Sequence, residues 1–135
     1  MRNCGALELQ YISSGSDGSL TIAEHGRALP FDFRRVFYIT SVGNREVVRG
    51  RHAHKTLQQA IFAAQGSFWL DLDDGRQKAS VLLDRPQAGV YLGPLLWHEM
   101  REFSPDCVAI VFAAAPYDES DYIRDYADFL KLTSV

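Results

Sequence analysis

The sequence predicts an all-β fold of antiparallel strands, closed or sandwich-like, with one short helix at the C-terminus. Short runs of β-branched and aromatic residues recur between Gly, Asp and Pro residues along most of the chain. A helical period of apolar residues occurs only near the end. Regular strand spacing with a single terminal helix favours a barrel or a sandwich over an α/β fold.

The N-terminal half contains four predicted strands. Residues 7–12 and 20–24 form the first two, and the polar, glycine-containing stretch 13–19 is predicted to be the turn between them. The third strand covers residues 35–41, where apolar and polar residues alternate. The fourth covers residues 47–55 and contains two histidines.

The C-terminal half begins with the clearest hairpin, within residues 60–83. The apolar runs FWLDL and ASVLL flank Asp74 and Gly75, a pair suited to the positive φ angles of a tight turn. Further strands are predicted at residues 90–92 and 107–113.

An apolar stripe near the C-terminus predicts the helix. Its members are spaced i, i+1, i+4, i+7 and i+8, which places them on one helical face. Asp118 is the predicted N-cap, and Glu119 and Asp121 would favour the positive end of the helix dipole. The stripe consists of Tyr122, Ile123, Tyr126, Phe129 and Leu130.

Length and composition predict a single domain spanning residues 1–135. Hydrophobic residues make up 47% of the chain. A chain of this size buries roughly two-thirds of the surface that its unfolded form exposes, which is enough for a core without disulfides. Cys4 and Cys107 are far apart and lack a metal-type spacing, so both are predicted to be free thiols, with Cys107 buried in a strand.

The charge balance argues against partners that carry many negative charges. The chain has 14 Lys+Arg against 17 Asp+Glu, a net charge of -3, and lacks the positive field that binds phosphate backbones. We therefore expect neither a nucleic-acid polymer nor a membrane as partner. The first residues lack the features of a secretory signal, and no stretch approaches the roughly 20 apolar residues that span a bilayer, so a cytoplasmic location is expected.

The segment from Arg49 to Lys55 carries the sharpest chemical signal. In an extended strand, residues two apart point to the same face, so His52 and His54 would present two imidazoles side by side. Gly50 removes a side chain next to them, which lets a ligand or another strand approach closely. The alternative is a solvated strand face on which the two histidines alternate with Ala53 by chance.

The spacing of these histidines also matches a metal-binding motif of the cupin fold. The motif requires a carboxylate at the position that Gln59 occupies, and a neutral amide removes charge that would offset a divalent ion. Without a metal, the histidines become candidate general acids and bases. We therefore predict no metal and no other cofactor. The residues that match the motif spacing are Gly50, His52, His54, Gln59 and Gly66.

Two further residues are candidates for the same site. His98 follows Pro94 and lies beside Trp97, where the second cupin motif would place its histidine; the alternative is a core or rim histidine packed against Trp97. Tyr38 lies in an alternating apolar strand, a pattern that is most often core, but a buried phenol hydroxyl needs a polar partner that a pocket could supply.

With these residues in view, the chain resembles the sugar 3,4-ketoisomerases, small cupin-fold enzymes that act on dTDP-4-keto-6-deoxyhexoses. The resemblance implies a cupin-type jelly-roll antiparallel β-barrel and a homodimer that exchanges N-terminal strands. It also implies conversion of dTDP-4-keto-6-deoxy-D-glucose into a 3-keto sugar, which an aminotransferase then converts into a 3-amino sugar for surface glycans or antibiotics. The matching segments are residues 31–39, 47–55, 89–100, 103–113 and 117–130.

The resemblance assigns the family's histidine pair to His52 and His54, its motif arginine to Arg49 and its strand hydroxyl to Tyr38. Moving the ketone from C4 to C3 requires removal of the C3 proton and protonation at C4 through an enediol. We expect His52 to be the C3 base and His54 to protonate C4 or the oxygens. The predicted substrate-binding residues are Tyr38 and Arg49 on the enediolate, His98 lining the sugar site and, more weakly, Arg51.

Three alternatives remain open at this point. A 3,5-epimerase of the same sugar nucleotide would also remove a proton beside C4, but at C5. A metal-dependent cupin oxygenase or isomerase would contain stoichiometric iron, manganese or zinc. A non-catalytic cupin would bind the sugar nucleotide without exchanging its protons with solvent.

Overall fold

The computed structural model describes residues 1–134. Two five-stranded antiparallel sheets make up most of the fold. Strand order is β1-β9-β6-β11-β4 in the first sheet and β12-β5-β10-β7-β8 in the second, and β2 and β3 form a separate ribbon. The antiparallel all-β fold and its C-terminal helix are thus as predicted. The elements are β1 Cys4–Glu8, β2 Gln10–Ser13, β3 Ser19–Ile22, β4 Arg35–Ile39, β5 Arg49–His54, β6 Gln59–Gln65, β7 Phe68–Asp73, β8 Lys78–Leu83, β9 Ala88–Leu92, β10 Trp97–Arg101, β11 Val108–Ala113, β12 Tyr122–Ile123 and α1 Tyr126–Thr133, with short 3₁₀ helices at Gly15–Asp17 and Glu119–Asp121.

The core lies between the two sheets, and alternation along the strands determines which residues enter it. In β6, Ile61 and Ala63 pack into the main cluster with Phe68 and Leu70 of the opposite sheet. Phe62 points to the other face of β6, where a second cluster covers it. Residues 60–63 of β6 are therefore buried on both faces, which explains why this part of the strand is apolar without interruption.

The C-terminal helix begins later than the apolar stripe predicts. Its N-cap is Asp125, whose carboxylate accepts a hydrogen bond from the backbone N–H of Asp128. Asp118 caps the preceding 3₁₀ helix instead. Residues 122 and 123, predicted to be helical, form β12 and pair with β5. Asp121 explains this difference, because its carboxylate accepts hydrogen bonds from the backbone at the end of β5 and holds the segment against that strand.

The strands differ from the prediction in three other places. The strand predicted at residues 7–12 is interrupted at Leu9, which is buried and donates its N–H to the carbonyl of Gln87. β10 was not predicted, because Trp-His-Glu-Met-Arg contains no β-branched residue. The β7–β8 hairpin is present, but residues 74–77 form its connection instead of a two-residue turn.

The β7–β8 connection is fixed by a buried carboxylate. Asp74 accepts hydrogen bonds of 2.8 Å from the backbone N–H groups of Arg2, Arg76 and Gln77. Burial raises the pKa of Asp74, but these donors outweigh burial and lower it to about 2. At Gly75, with φ +91°, a Cβ atom would lie 2.3 Å from Oγ1 of Thr133, so the C-terminal helix packs directly on this connection.

Cys4 and Cys107 are both free thiols, as predicted. Cys107 is buried one residue before β11, and burial raises the pKa of both thiols. Within residues 1–134, no helix is long and apolar enough to cross a membrane.

Candidate active site

A cavity of about 340 Å³ lies where β4, β5 and β12 meet the interior of the sandwich. It contains most of the site residues predicted from the sequence, and we call it the histidine cavity. Two predicted residues, His54 and Arg51, do not line it. The predicted residues that do are Tyr38, Arg49, His52 and His98, and they are joined by Gln59, Tyr122 and Arg124.

A bulge in β5 determines which side chains reach the histidine cavity. His52 pairs with His98 of β10, but Gly50 pairs with the next residue, Glu99, so Arg51 is extra. Gly50 and Arg51 both have positive φ angles, +86° and +58°. Because of the extra residue, Arg49 and His52, three positions apart, line the same cavity, whereas Arg51 is exposed outside it.

Gly50 also permits the close approach of another strand, as the sequence predicts. A Cβ atom at this position would lie 3.0 Å from the carbonyl oxygen of His98 in β10. The missing side chain therefore lets another strand, and not only a ligand, come next to the histidines.

His52 has the geometry of a general base. Its Nδ1 lies 3.0 Å from the carbonyl oxygen of Gly50. Since a carbonyl can only accept, Nδ1 carries the proton and Nε2 keeps its lone pair. Burial lowers the pKa of His52, opposed by the Gly50 hydrogen bond and reinforced by the charge of Arg124. The imidazole is therefore neutral at pH 7 and lines the cavity with an available base.

His54 lies beneath His52. Only 3% of its surface is exposed, and its ring centroid is 5.0 Å from that of His52, edge to face. Nδ1 lies 3.3 Å from Oδ2 of Asp121, a poorly aligned contact that leaves both ring nitrogens without a full hydrogen bond. Burial, with the neighbouring His52 charge, lowers the pKa of His54 to about 4 despite the attraction of Asp121.

His98 lines the histidine cavity and does not pack against Trp97. Neighbouring residues of β10 point to opposite faces, so Trp97 packs on Phe129 of the helix, with ring centroids 5.6 Å apart. The His98 ring centroid is 4.7 Å from that of His52. Burial and the two other histidines lower the pKa of His98 to about 3, so it is a neutral polar group in the cavity wall.

Tyr38 stands at the rim of the histidine cavity. Its side chain is 68% exposed, in contrast to the core position that an aromatic strand residue usually takes. Phe37 and Ile39, on either side of it, pack against the core. A phenol hydroxyl at this rim is available to a bound ligand.

Two residues that the sequence reasoning missed, Tyr122 and Arg124, complete the cavity wall. The guanidinium of Arg124 lies 4.2 Å from the ring centroid of Tyr122. The carboxylate of Glu119 accepts two hydrogen bonds of 2.9 Å from it, which raise the pKa of Arg124. Because this segment was predicted to be helical, no sequence signal directed attention to its contact with the histidine strand.

The donor set of the histidine cavity does not fit a divalent metal ion. Among residues 1–134, no three His, Cys, Asp or Glu side chains are arranged to share an ion. Gln59, which stands at the carboxylate position of the cupin motif, is buried and lines the cavity as a neutral amide. We therefore assign no catalytic step to a metal.

A second groove, of about 480 Å³, lies on the outer face of β10, β7 and β8. Its carboxylates are engaged within the protein: Asp71 with Arg101, Asp73 with Tyr126 and Glu99 with Trp97. The histidine cavity, with a neutral base and cations beside it, is the better candidate active site.

Comparison with known proteins identifies the family of this chain. The family model described as WxcM-like, C-terminal (FdtA) matches residues 2–134. The TDP-4-oxo-6-deoxy-alpha-D-glucose-3,4-oxoisomerase of Aneurinibacillus thermoaerophilus is 47% identical over 116 residues, covering 86% of this chain and 83% of the relative.

Solved structures of related proteins are similar along their whole length. QdtA, a 3,4-ketoisomerase from Thermoanaerobacterium thermosaccharolyticum, was solved as a histidine-to-asparagine mutant in complex with TDP-4-keto-6-deoxyglucose. It matches with a TM-score of 0.94 at 35% identity, covering 99% of this chain and 96% of that chain. WlaRB, a TDP-quinovose 3,4-ketoisomerase from Campylobacter jejuni, gives 0.89 at 37% identity, covering 97% and 99%. The predicted cupin-type jelly roll is confirmed.

Proposed function

Since this chain belongs to the WxcM-like, C-terminal family, we propose that it is a dTDP-sugar 3,4-ketoisomerase that moves the keto group of dTDP-4-keto-6-deoxy-D-glucose from C4 to C3. The observation that carries the proposal is the orientation of His52. Its protonated Nδ1 is held by Gly50, and its basic Nε2 is left to a cavity large enough for a hexose.

In the proposed reaction, Nε2 of His52 removes the C3 proton, which the neighbouring carbonyl acidifies. The electron pair forms an enediolate with its charge on the C4 oxygen. The hydroxyl proton of the C3 oxygen moves to the C4 oxygen, and a proton returned to C4 leaves the ketone at C3. Arg49 and Tyr38 line the same cavity and would donate hydrogen bonds to the oxygen on which charge develops. No metal ion enters these steps.

His54 has a different place in this mechanism from the one that the sequence suggests. It does not line the cavity, so it reaches the sugar only through His52. We infer that a single imidazole, His52, meets the substrate and that His54 passes protons to and from it. His98 contributes a neutral polar wall, and Arg124 adds a second cation for the nucleotide part of the substrate.

The product has the chemistry that an aminotransferase requires. A 3-keto sugar nucleotide forms an imine with an amine donor, so the proposed pathway leads to a 3-amino-3,6-dideoxyhexose for surface glycans such as lipopolysaccharide or S-layer glycan. A cytoplasmic location suits the two free thiols, Cys4 and Cys107.

A homodimer with exchanged N-terminal strands is also proposed. The β2–β3 ribbon stands apart from both sheets and exposes Tyr11, Ile12 and Leu20 by 42%, 44% and 56%. An isolated two-stranded ribbon is marginally stable in water, so a second copy that covers these side chains would stabilise it. Light scattering coupled to size exclusion tests the dimer; a monomer at micromolar concentration would contradict it.

Incubation of the protein with dTDP-4-keto-6-deoxyglucose in D₂O, followed by NMR, tests the proposed reaction. A 3-keto product carrying deuterium at C4 supports it. Deuterium at C5 would instead indicate a 3,5-epimerase, and binding without any exchange would indicate a non-catalytic protein. Activity lost on chelation and restored by one metal would contradict the metal-independent mechanism.

A further inference from the structure

A second, much smaller cavity lies behind His54, and we call it the rear cavity. Its volume is about 60 Å³. His54 and Asp121 line it together with Arg35 and Thr56, but His52 does not. The buried imidazole of His54 therefore has a polar space of its own, separate from the histidine cavity.

The rear cavity contains polar atoms that need hydrogen-bond partners. Neither ring nitrogen of His54 nor Nε of Arg35 has one among residues 1–134, although all three atoms are buried. A buried polar atom without a hydrogen-bond partner has lost its hydration and gained nothing in return, so water is favoured wherever it fits. The volume suits about two water molecules, and the carboxylate of Asp121 and the hydroxyl of Thr56 supply further partners.

The rear cavity also reaches the surface. Pro116 and Asp118 form part of its lining, and both are exposed. A sugar nucleotide bound in the histidine cavity would cover His52, whereas this second opening would stay accessible from the solvent.

Asp121 is well placed to fix the orientation of His54. Its Oδ1 accepts from the backbone N–H and the hydroxyl of Thr56 at 2.9 and 2.7 Å, and its Oδ2 accepts from the N–H of Leu57 at 3.1 Å. The carboxylate is thus held rigidly, with Oδ2 also 3.3 Å from Nδ1 of His54. An anion fixed on one side of an imidazole determines which nitrogen carries the proton.

We propose that the rear cavity is a water site through which His54 exchanges protons with solvent during catalysis, and that Asp121 is the positioning residue of that imidazole. Once His52 has taken the C3 hydrogen it is an imidazolium, and it passes one proton to Nε2 of His54 while Nδ1 of His54, beside Asp121, releases its own proton to the water, so His52 and His54 are both neutral afterwards. The reverse sequence returns a proton from solvent to His52, which then protonates C4. The inference rests on the proposed function, in which His52 alone meets the sugar.

This route affects where the C3 hydrogen of the substrate goes. After His52 removes it, the hydrogen either returns to C4 of the same sugar or is exchanged for a solvent proton that arrives through His54. In D₂O, the ratio of protium to deuterium at C4 of the product therefore measures exchange through the rear cavity.

The test fills the rear cavity without changing a polar group. Ala115 lines it, and Ala115→Val adds two methyl groups that displace water. In D₂O we expect the protium to deuterium ratio at C4 to rise several-fold over the wild-type ratio. Ala64→Val, at an exposed position of β6, is the matched control and should keep the wild-type ratio. An Ala115→Val product with the wild-type ratio would overturn the proposal.

Two further measurements keep the proposal testable if Ala115→Val folds poorly. Asp121→Asn should lower kcat with little change in KM and raise the same protium ratio, and Asp121→Glu should restore part of kcat. A merely structural role would lower the amount of folded protein and leave the ratio unchanged. A high-resolution crystal structure should contain water within hydrogen-bond distance of a His54 ring nitrogen; a dry cavity would refute the water site even if the enzyme has another reaction.

Discussion

Replacement of His52 by Asn isolates the proposed base. The Asn amide nitrogen can take the place of Nδ1 near the carbonyl of Gly50, so the strand keeps its hydrogen bond while Nε2 is lost. General base catalysis contributes on the order of 10²–10⁴ in rate, which corresponds to roughly 2.7–5.4 kcal/mol of transition-state free energy. We expect kcat to fall by this factor, with KM nearly unchanged because the cavity keeps its shape.

The pH dependence of the wild-type enzyme provides a second signature of the same residue. Burial lowers the pKa of His52 from 6.5, so its base form is present at neutral pH, and activity should fall only as the pH drops below 6.5. His54 and His98, with pKa values of about 4 and about 3, are still neutral just below pH 6.5 and do not cause this fall in activity, the acid limb of the pH profile. The residual activity of His52→Asn should lack the acid limb.

Initial rates measured by NMR, with loss of the C3 proton signal in D₂O, give both quantities. His25→Asn is the matched control, because His25 is exposed and pairs with Asp32 at 2.6 Å, outside the lining of the histidine cavity. His52→Asn with wild-type turnover, or with the acid limb retained, would refute the assignment of His52 as the C3 base.

Three further predictions concern the rim, the bulge and the β7–β8 connection. Tyr38→Phe should lower kcat on the order of 10² if the phenol stabilises the enediolate, whereas Tyr11→Phe should not; equal rates in an NMR assay would contradict this role. Gly50→Ala should lower the free energy of unfolding by about 1–3 kcal/mol, because φ is +86° and the new Cβ meets a β10 carbonyl at 3.0 Å. The control is Gly43→Ala, because a Cβ atom at Gly43 meets no other atom within 4 Å. Equal urea midpoints for Gly50→Ala and Gly43→Ala would contradict the predicted strain at Gly50. Asp74 has its pKa lowered to about 2, so it contributes stability above pH 4 that is lost as pH falls from about 4 to about 2. The thermal midpoint of Asp74→Asn should therefore fall less steeply between about pH 4 and about pH 2 than that of the wild type. The same pH dependence in both proteins would contradict this role of Asp74.

Much of the fold was predictable because burial alternates with a period of two along several strands, such as β4 and β7. Within residues 60–83, the apolar runs on either side of Asp74 and Gly75 predict a hairpin, and β7 and β8 form it. The start of the C-terminal helix was not predictable in this way. Tyr122 and Ile123 fit a helical stripe, but they form a strand that pairs with β5. The contact that holds them there joins Asp121 to Thr56, 65 positions earlier in the chain.

The candidate site was predictable in its residue types and less so in its geometry. Regular alternation places His52 and His54 together, and they are adjacent, but only His52 reaches the histidine cavity. Alternation also separates Arg49 from His52, and the bulge brings them together. Neither the depth of a side chain nor a bulge is encoded in local periodicity, because both depend on the strand paired alongside.

The bulge at Arg51 suggests how this scaffold could acquire new chemistry. Deletion of that one residue would restore regular pairing with β10 and turn Arg49 away from the cavity, with no change in any catalytic side chain. In such a barrel, a change in chain length by a single codon rearranges the pocket more than most substitutions would. Insertions and deletions in this strand are therefore a route by which a common scaffold could exchange one set of cavity residues for another.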